Sequence, residues 1–326
     1  MEEILVSINC TTYNHEKYIA DALESFLMQK TNFKYEILIH DDASTDRTAE
    51  IIRDYERKYP EIIKPIYQNE NQYSKGVKVG TLNRDRAIGK YIAVCEGDDY
   101  WTSSYKLQKQ VDFMESNKEF SLCFHSVNIQ NELDNKICEY PRLYEVDKII
   151  DDDKLFPHCA KKTPTCSFLY RKELFISLPY FFDKALVGDY PMALILAYRG
   201  KVFYFNEAMG VYRRNVENSS TVVYKNTDLR VIAEKRRKEF LISFDEYTDY
   251  KYNQEISDIV NFINISLLIY DYQGKSKILL LKDNDFRSYR RQLSGIELIK
   301  LYARIIFPNM YSKLIRLKNI LNNNKL

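Results

Sequence analysis

The feature that most constrains this chain is an alternation over its first hundred residues. Short apolar runs end in polar punctuation, and amphipathic segments lie between them. Ile4-Leu5-Val6-Ser7-Ile8 is apolar and β-branched, the pattern of a buried strand. Thr11-Thr12-Tyr13-Asn14 breaks it, and residues 16–29 then place Tyr18, Ile19, Ala22, Leu23, Phe26 and Leu27 on one helical face. Tyr35 to His40 is a second strand, closed by Asp41-Asp42-Ala43-Ser44-Thr45-Asp46. A helix follows to about Lys58, with Ser44 or Thr45 as N-cap and Asp46 suited to the helix N-terminus. Glu61 to Tyr67 is a third strand, residues 69–80 a polar loop, and Tyr91 to Cys95 a fourth strand ended by Glu96-Gly97-Asp98-Asp99.

Strands and helices alternating at this spacing make parallel βαβ units, a mostly parallel Rossmann-like sheet with helices on its faces. Such a sheet binds ligands beyond the carboxyl ends of its strands. The polar punctuation falls at those ends, so Tyr13-Asn14, Asp41-Asp42 and Asp98-Asp99 should line one rim.

Further along, the pattern predicts a helix at about 104–116 and strands near 120–128 and 137–140. Residues 145–166, with Asp151-Asp152-Asp153 and His158, read as a solvated loop. A strand at 167–170, a helix opening at Asp189 and two strands, Val202 to Phe205 and Met209 to Tyr212, come next. From about Leu229 the pattern is helical. A boundary near 226 divides a domain of residues 1–226 from a helical region, 227–326.

Composition narrows the function classes. Lys+Arg is 48 and Asp+Glu 46, a net charge of +2, which argues against a nucleic-acid partner. Six cysteines without a CxxC pair and four histidines argue against a zinc framework and for free thiols in a reducing compartment. The N-terminus lacks the basic and apolar regions of a secretory signal. No run of 18 uncharged apolar residues exists to span a membrane. The expected location is cytoplasmic.

Glu96-Gly97-Asp98-Asp99 crowds carboxylates that repel one another unless a cation neutralises them. All-oxygen ligands suit Mg2+ or Mn2+. Mg2+ takes one or two protein carboxylates and completes its shell with water and substrate phosphates. The rim therefore points to a diphosphate ligand.

Cys10-Thr11-Thr12-Tyr13-Asn14, His40-Asp41-Asp42-Ala43-Ser44-Thr45-Asp46 and Glu96-Gly97-Asp98-Asp99-Tyr100-Trp101 together resemble the inverting family 2 glycosyltransferases of GT-A fold. The resemblance is specific over roughly residues 1–110 and fainter to about 220. It implies a nucleotide-sugar donor, most often a UDP-sugar, a divalent cation (Mn2+ or Mg2+), and a glycan or lipid-linked acceptor in bacterial surface polysaccharide or lipopolysaccharide synthesis. It implies that Thr11 and Tyr13 border the nucleoside pocket, that Asp41 accepts from the base, and that Asp42 supports that turn. Glu96 stands near the ribose, Asp98 on the metal, and Asp99 assists. Ala43 replaces the family's common glycine, which suggests a turn without positive φ. In Asn83-Arg84-Asp85-Arg86, Arg84 or Arg86 would neutralise phosphate, as Arg213 would near the diphosphate.

Inverting transfer needs a carboxylate to deprotonate the acceptor hydroxyl. Gly188-Asp189-Tyr190-Pro191 fits the family's position for it, with Asp189 as base and Asp183 as a weaker rival. Thr165, in the loop before it, would shape the acceptor pocket, and Trp101 would either stack on a sugar there or pack in the core. The basic amphipathic pattern from Arg287 onward, interrupted by Pro308, would either dock peripherally on an anionic bilayer at the inner face of the plasma membrane or pack on its own catalytic domain. Two readings stay open: a sugar-phosphate nucleotidyltransferase, and a non-catalytic nucleotide-sugar binding protein.

Overall fold

The structure is a computed structural model. It describes residues 3–139, 142–150, 163–185, 188–217, 219, 227–271, 282, 284–293, 295, 298–299 and 301–302. Asp151, Asp152, Asp153, His158, Pro308 and the basic residues from Lys300 onward lie outside the described residues.

Four parallel strands form one side of the sheet: β1 (Ile4–Thr12), β2 (Lys34–Asp41), β3 (Ile63–Tyr67) and β4 (Tyr91–Val94). They stand in the order β3-β2-β1-β4. The connection therefore reverses direction at β1, and the crevice between the ends of β1 and β4 is the topological switch point where α/β sheets bind ligands. The sheet continues through β9 (Leu169–Arg171), β6 (Phe120–Asn131), β10 (Lys201–Arg214) and β5 (Tyr100–Trp101), with β7 (Lys136–Glu139) on β6 and β8 (Lys148–Ile150) on β10. β9 runs antiparallel to both β4 and β6, whereas β6 and β10 are parallel.

The helices are α1 (Ile19–Leu27), α2 (Thr48–Lys58), α3 (Val79–Arg86), α4 (Lys106–Ser116), α5 (Asp189–Arg199), α6 (Thr227–Tyr247), α7 (Asn253–Asp271) and α8 (Asn284–Gln292). α1 forms because Ile19, Ala22, Leu23 and Phe26 recur on one face, and all four are fully buried with Val6, Ile8 and Ile39 of the sheet. Burying a side chain of this size stabilises by roughly 1.5–3 kcal/mol.

The structure alters several expectations. The loop expected at 69–80 already contains the start of α3. β8 lies in the segment read as loop. The two strands expected at 202–212 are one strand, β10, whose register slips near Ala208 where Asn206-Glu207 interrupts the apolar pattern. α2 starts at Thr48, without Ser44 or Thr45 as its cap; Asp46 instead accepts the Thr48 N–H at 2.9 Å. The chain divides into compact units Met1–Glu255 and Ile256–Leu326, so α6, C-terminal to residue 226, belongs with the sheet. There Phe240 packs on Phe181 at 5.6 Å. No helix among the described residues is long and apolar enough to cross a membrane. Cys10, Cys95, Cys123, Cys138 and Cys166 are free thiols.

Lys106 is a costly residue of the core. It opens α4 with no exposure. Its Nζ lies 3.9 Å from the centroid of the Trp101 ring and has no hydrogen-bond partner. Burial pushes its pKa down to about 7. The unfolded lysine titrates near 10.4, so between those values the unfolded chain binds the extra proton and stability rises with pH. At pH 7 the full penalty remains, offset in part by the ring. Lys106→Met should therefore stabilise the protein by about 2–3 kcal/mol at pH 7. In denaturant unfolding at several pH values, that gain should shrink steadily toward pH 10; a destabilised variant, or a gain flat with pH, would contradict this account.

Candidate active site

The end of β1 stitches the rim together. The Thr12 carbonyl accepts the Asp42 N–H at 3.0 Å, and the Thr11 carbonyl accepts the Gly97 N–H at 2.9 Å. Asn14 joins the same two loops: its N–H donates to Ser44 Oγ at 2.9 Å, and its Oδ1 accepts the Thr45 N–H at 2.8 Å. The loops after β1, β2 and β4 are thus one unit. Gly97 is demanded by space, since a Cβ there would sit 2.6 Å from Thr12 Oγ1.

Asp41 and Asp42 do different work. Asp41 is buried and accepts the Ser44 hydroxyl at 2.5 Å. Burial pushes its pKa up, and the Ser44 bonds oppose this. Asp42 accepts the N–H groups of Gln72 at 2.8 Å and Tyr73 at 3.0 Å, so it organises the loop before α3. Thr11 and Tyr13 are half-buried beside this turn. Ala43 between Asp42 and Ser44 has φ +62°, which overturns the expectation of a turn without positive φ. A left-handed alanine costs roughly 1 kcal/mol. Ala43→Gly should therefore stabilise by about 0.5–1 kcal/mol, read as a higher denaturation midpoint at unchanged slope; a lower midpoint would count against the strain.

The acids after β4 form a graded cluster. Glu96 is half-buried just past the end of β4. Burial and then the charge of Asp98 push its pKa up to about 8, and Asp189 adds to the effect. The Glu96 carboxyl therefore feels the charge of the acidic turn first and that of Asp189, at the start of α5, last. The Asp98 side chain keeps 16% exposure, and its Oδ2 lies 3.9 Å from His15 Nε2. Asp99 turns inward: it is 2% exposed and accepts the Arg213 N–H at 2.8 Å. Burial, with Asp98 and Glu96 nearby, holds its pKa well up.

Asp189 opens α5, as expected, with its Oδ1 accepting the Tyr190 N–H at 2.7 Å. The residue is exposed; desolvation by the protein around the carboxyl raises its pKa, and the Tyr190 N–H and Lys78 oppose the rise. Lys78 Nζ donates to the Ala185 carbonyl at 2.5 Å and lies 4.8 Å from the Phe182 ring centroid. Asp183, the rival base, is exposed on the same side and also acts on Lys78.

Other expected site residues serve elsewhere. Trp101 is 1% exposed, its Nε1 donating to the Cys166 carbonyl at 2.7 Å and its ring 4.8 Å from Phe26. It is a core residue and offers no face to a sugar. Thr165 is half-buried in a single turn of 3-10 helix, Thr165–Ser167. Arg84 is buried, paired with its neighbour Asp85 at 2.6 Å and set over the Phe175 ring. Arg86 donates to the carbonyls of Ile39 and Lys64 and so ties α3 to β2 and β3. His15 and Lys78 were not anticipated. The position of His15, two residues past Tyr13, was the available signal, and nothing in the local sequence marks Lys78.

Among the described residues no three His, Cys, Asp or Glu side chains converge as a preformed metal centre. The arrangement still fits a hard cation. Asp98 is accessible beside a carboxyl whose ionisation its charge disfavours, and a Mg2+ or Mn2+ ion commonly takes one or two carboxylates, leaving its other positions to phosphate oxygens and water.

Residues 7–178 match the family model described as Glycosyl transferase family 2. An uncharacterized protein of Mycobacterium tuberculosis is 35% identical over 234 residues, 71% of this chain and 64% of that protein. The chain thus spans just under two thirds of the length of that relative. TuaG of Bacillus subtilis, named for teichuronic acid biosynthesis, is 38% identical over 39% of this chain and 49% of its own. Among solved structures, S. aureus TarS with UDP-GlcNAc aligns with TM-score 0.58 at 16% identity, over 93% of this chain and 79% of that one. The mannosyltransferase PcManGT of Pyrobaculum calidifontis, with GDP-Man and Mn2+, aligns with TM-score 0.52 at 13% identity, over 95% and 88%. Both likenesses establish the GT-A fold.

Proposed function

Because the chain belongs to glycosyl transferase family 2, we propose that it transfers a sugar with inversion from a nucleotide-sugar, a UDP-sugar in the first instance, to a hydroxyl of a glycan or lipid-linked acceptor. The observation that carries this reading is the stitched rim, where the Thr12–Asp42, Thr11–Gly97 and Asn14–Ser44 bonds join the loops after β1, β2 and β4 at the switch point of the sheet. It supports a nucleoside diphosphate seated beyond the carboxyl ends of the strands.

In this reading Thr11, Tyr13 and Asp41 receive the nucleoside, while Asp42 acts through the loop it organises. Asp98 holds the cation, Glu96 lies beside it near the ribose, and Asp99 keeps the turn in place from behind. A divalent cation bound at Asp98 would supply Lewis-acid stabilisation of the leaving diphosphate. Asp189 takes the proton from the acceptor hydroxyl as its oxygen attacks the anomeric carbon, on the face opposite the leaving group. The raised pKa of Asp189 strengthens it as a base. Lys78 steadies its charged form from one side, and Thr165 borders the acceptor. The name of TuaG supports a surface-polysaccharide role. The basic pattern from Arg287 onward supports contact with the inner face of the plasma membrane.

A panel of UDP-, GDP- and dTDP-sugars, with and without Mn2+, tests the reading. One donor should raise the melting temperature more with Mn2+ than without it, and the same donor should release its nucleoside diphosphate when an acceptor is present. No shift from any donor would refute the reading. A shift without turnover across a range of acceptor glycans would favour a non-catalytic binder.

A further inference from the structure

We propose that Arg213 is a positioning residue for the acidic turn, pinning the main chain of Asp98 so that its carboxylate stands at a fixed place in the cleft, without touching the donor. The proposal rests on the cation role given to Asp98 above.

Arg213 lies next to the end of β10, and its sequence context suggested a diphosphate contact. The structure gives the guanidinium other partners. The side chain is 4% exposed. Nη1 donates to the Asp98 carbonyl at 2.8 Å, and Nη2 pairs with Asp21 of α1. Nε faces Glu132 Oε1 at 3.5 Å, just past β6. The rings of Tyr18 and Tyr100 lie 5.0 and 4.5 Å from the guanidinium carbon. The Arg213 main-chain N–H meanwhile holds Asp99 Oδ1 at 2.8 Å.

Two groups of one residue thus grip two successive residues of the turn. Rotating the peptide between Asp98 and Asp99 would strain both grips. On its other side the turn is closed by the Gly97 N–H on Thr11 and the Asp99 N–H on the Glu96 carbonyl. Arg213 makes no bond to the Asp98 carboxylate, which leaves that group to a ligand. Asp21 and Glu132 balance the guanidinium charge where it sits, so little attraction for a phosphate remains. A planar fork holds the Asp98 carbonyl and the Asp21 carboxylate on separate nitrogens while Nε faces Glu132; a lysine ammonium lacks that geometry. Residues behind a metal ligand commonly set its orientation and the affinity of the site.

The test uses the full chain and two readouts: hydrogen exchange of the 97–101 amides without ligand, and calorimetric binding of UDP with and without Mn2+. Arg213→Lys keeps the charge and loses the fork. Exchange at Gly97 and Asp99 should accelerate about tenfold or more, and UDP affinity with Mn2+ should fall about tenfold, while affinity without Mn2+ changes less than about twofold. Asp21→Asn removes only the outer, exposed partner and should resemble wild type in both readouts. Tyr100→Leu removes one ring face and should loosen the same amides by about threefold, which keeps the proposal testable should Arg213→Lys not fold. Unaltered exchange at 97–101 in Arg213→Lys would overturn the pin. So would an equal loss of UDP affinity with and without Mn2+, the sign of a direct phosphate contact. Wild-type protein that binds no UDP would refute the donor reading instead, and the exchange readout would still decide the pin.

Discussion

Asp189→Asn should lower kcat about 1,000-fold while leaving donor affinity within about twofold. The amide keeps the shape of the carboxylate and an oxygen to accept the Tyr190 N–H, so α5 keeps its first turn. It cannot take a proton at neutral pH, so the attacking hydroxyl loses its base. Wild-type activity should fall as pH drops through the raised pKa of Asp189, because protonation fills the lone pair that the reaction needs. The variant's residual activity should lack that acidic limb. Rates of UDP release across pH, with calorimetry for the donor, check both statements. A variant within tenfold of wild type would remove Asp189 as base and pass the role to Asp183.

Asp98→Asn should also be severe, for a different reason. Its carboxylate keeps 16% exposure, while Asp99 is turned inward onto the Arg213 N–H. A neutral amide is a far weaker ligand for a hard cation. Transfer should fall at least about 100-fold, and added Mn2+ should cease to stimulate it. Donor binding in the absence of metal should persist or improve, since one charge facing the diphosphate is gone. Activity that remains fully dependent on Mn2+ in this variant would place the cation on other residues.

Much of this site was legible because it is local. The strand ends at Thr12, Asp41 and Val94 follow from apolar runs that stop at polar residues, and parallel order puts such ends on one rim. The helix opening at Asp189 was legible because an apolar segment follows at once. What was hidden depends on distant partners. Trp101 follows the acidic turn, where an aromatic reads as a sugar platform, but Phe26 and Lys106 enclose it in the core. His15 lacks ligand spacing because its neighbour Asp98 is 83 positions away along the chain. Lys78 is one lysine in a polar loop until Ala185 and Phe182 fold against it. Ala43 shows a different limit: residue type suggested an ordinary turn, and the stitched rim around it imposes a left-handed one.

On the proposed function, acids from separate stretches of chain meet at one cation that binds a pyrophosphate. Titrating UDP into the wild-type chain, first in chelator and then in Mn2+, tests it most directly. UDP should bind at least about tenfold more tightly with Mn2+, with uridine showing no such gain. Equal affinity for UDP in chelator and in Mn2+ would contradict it.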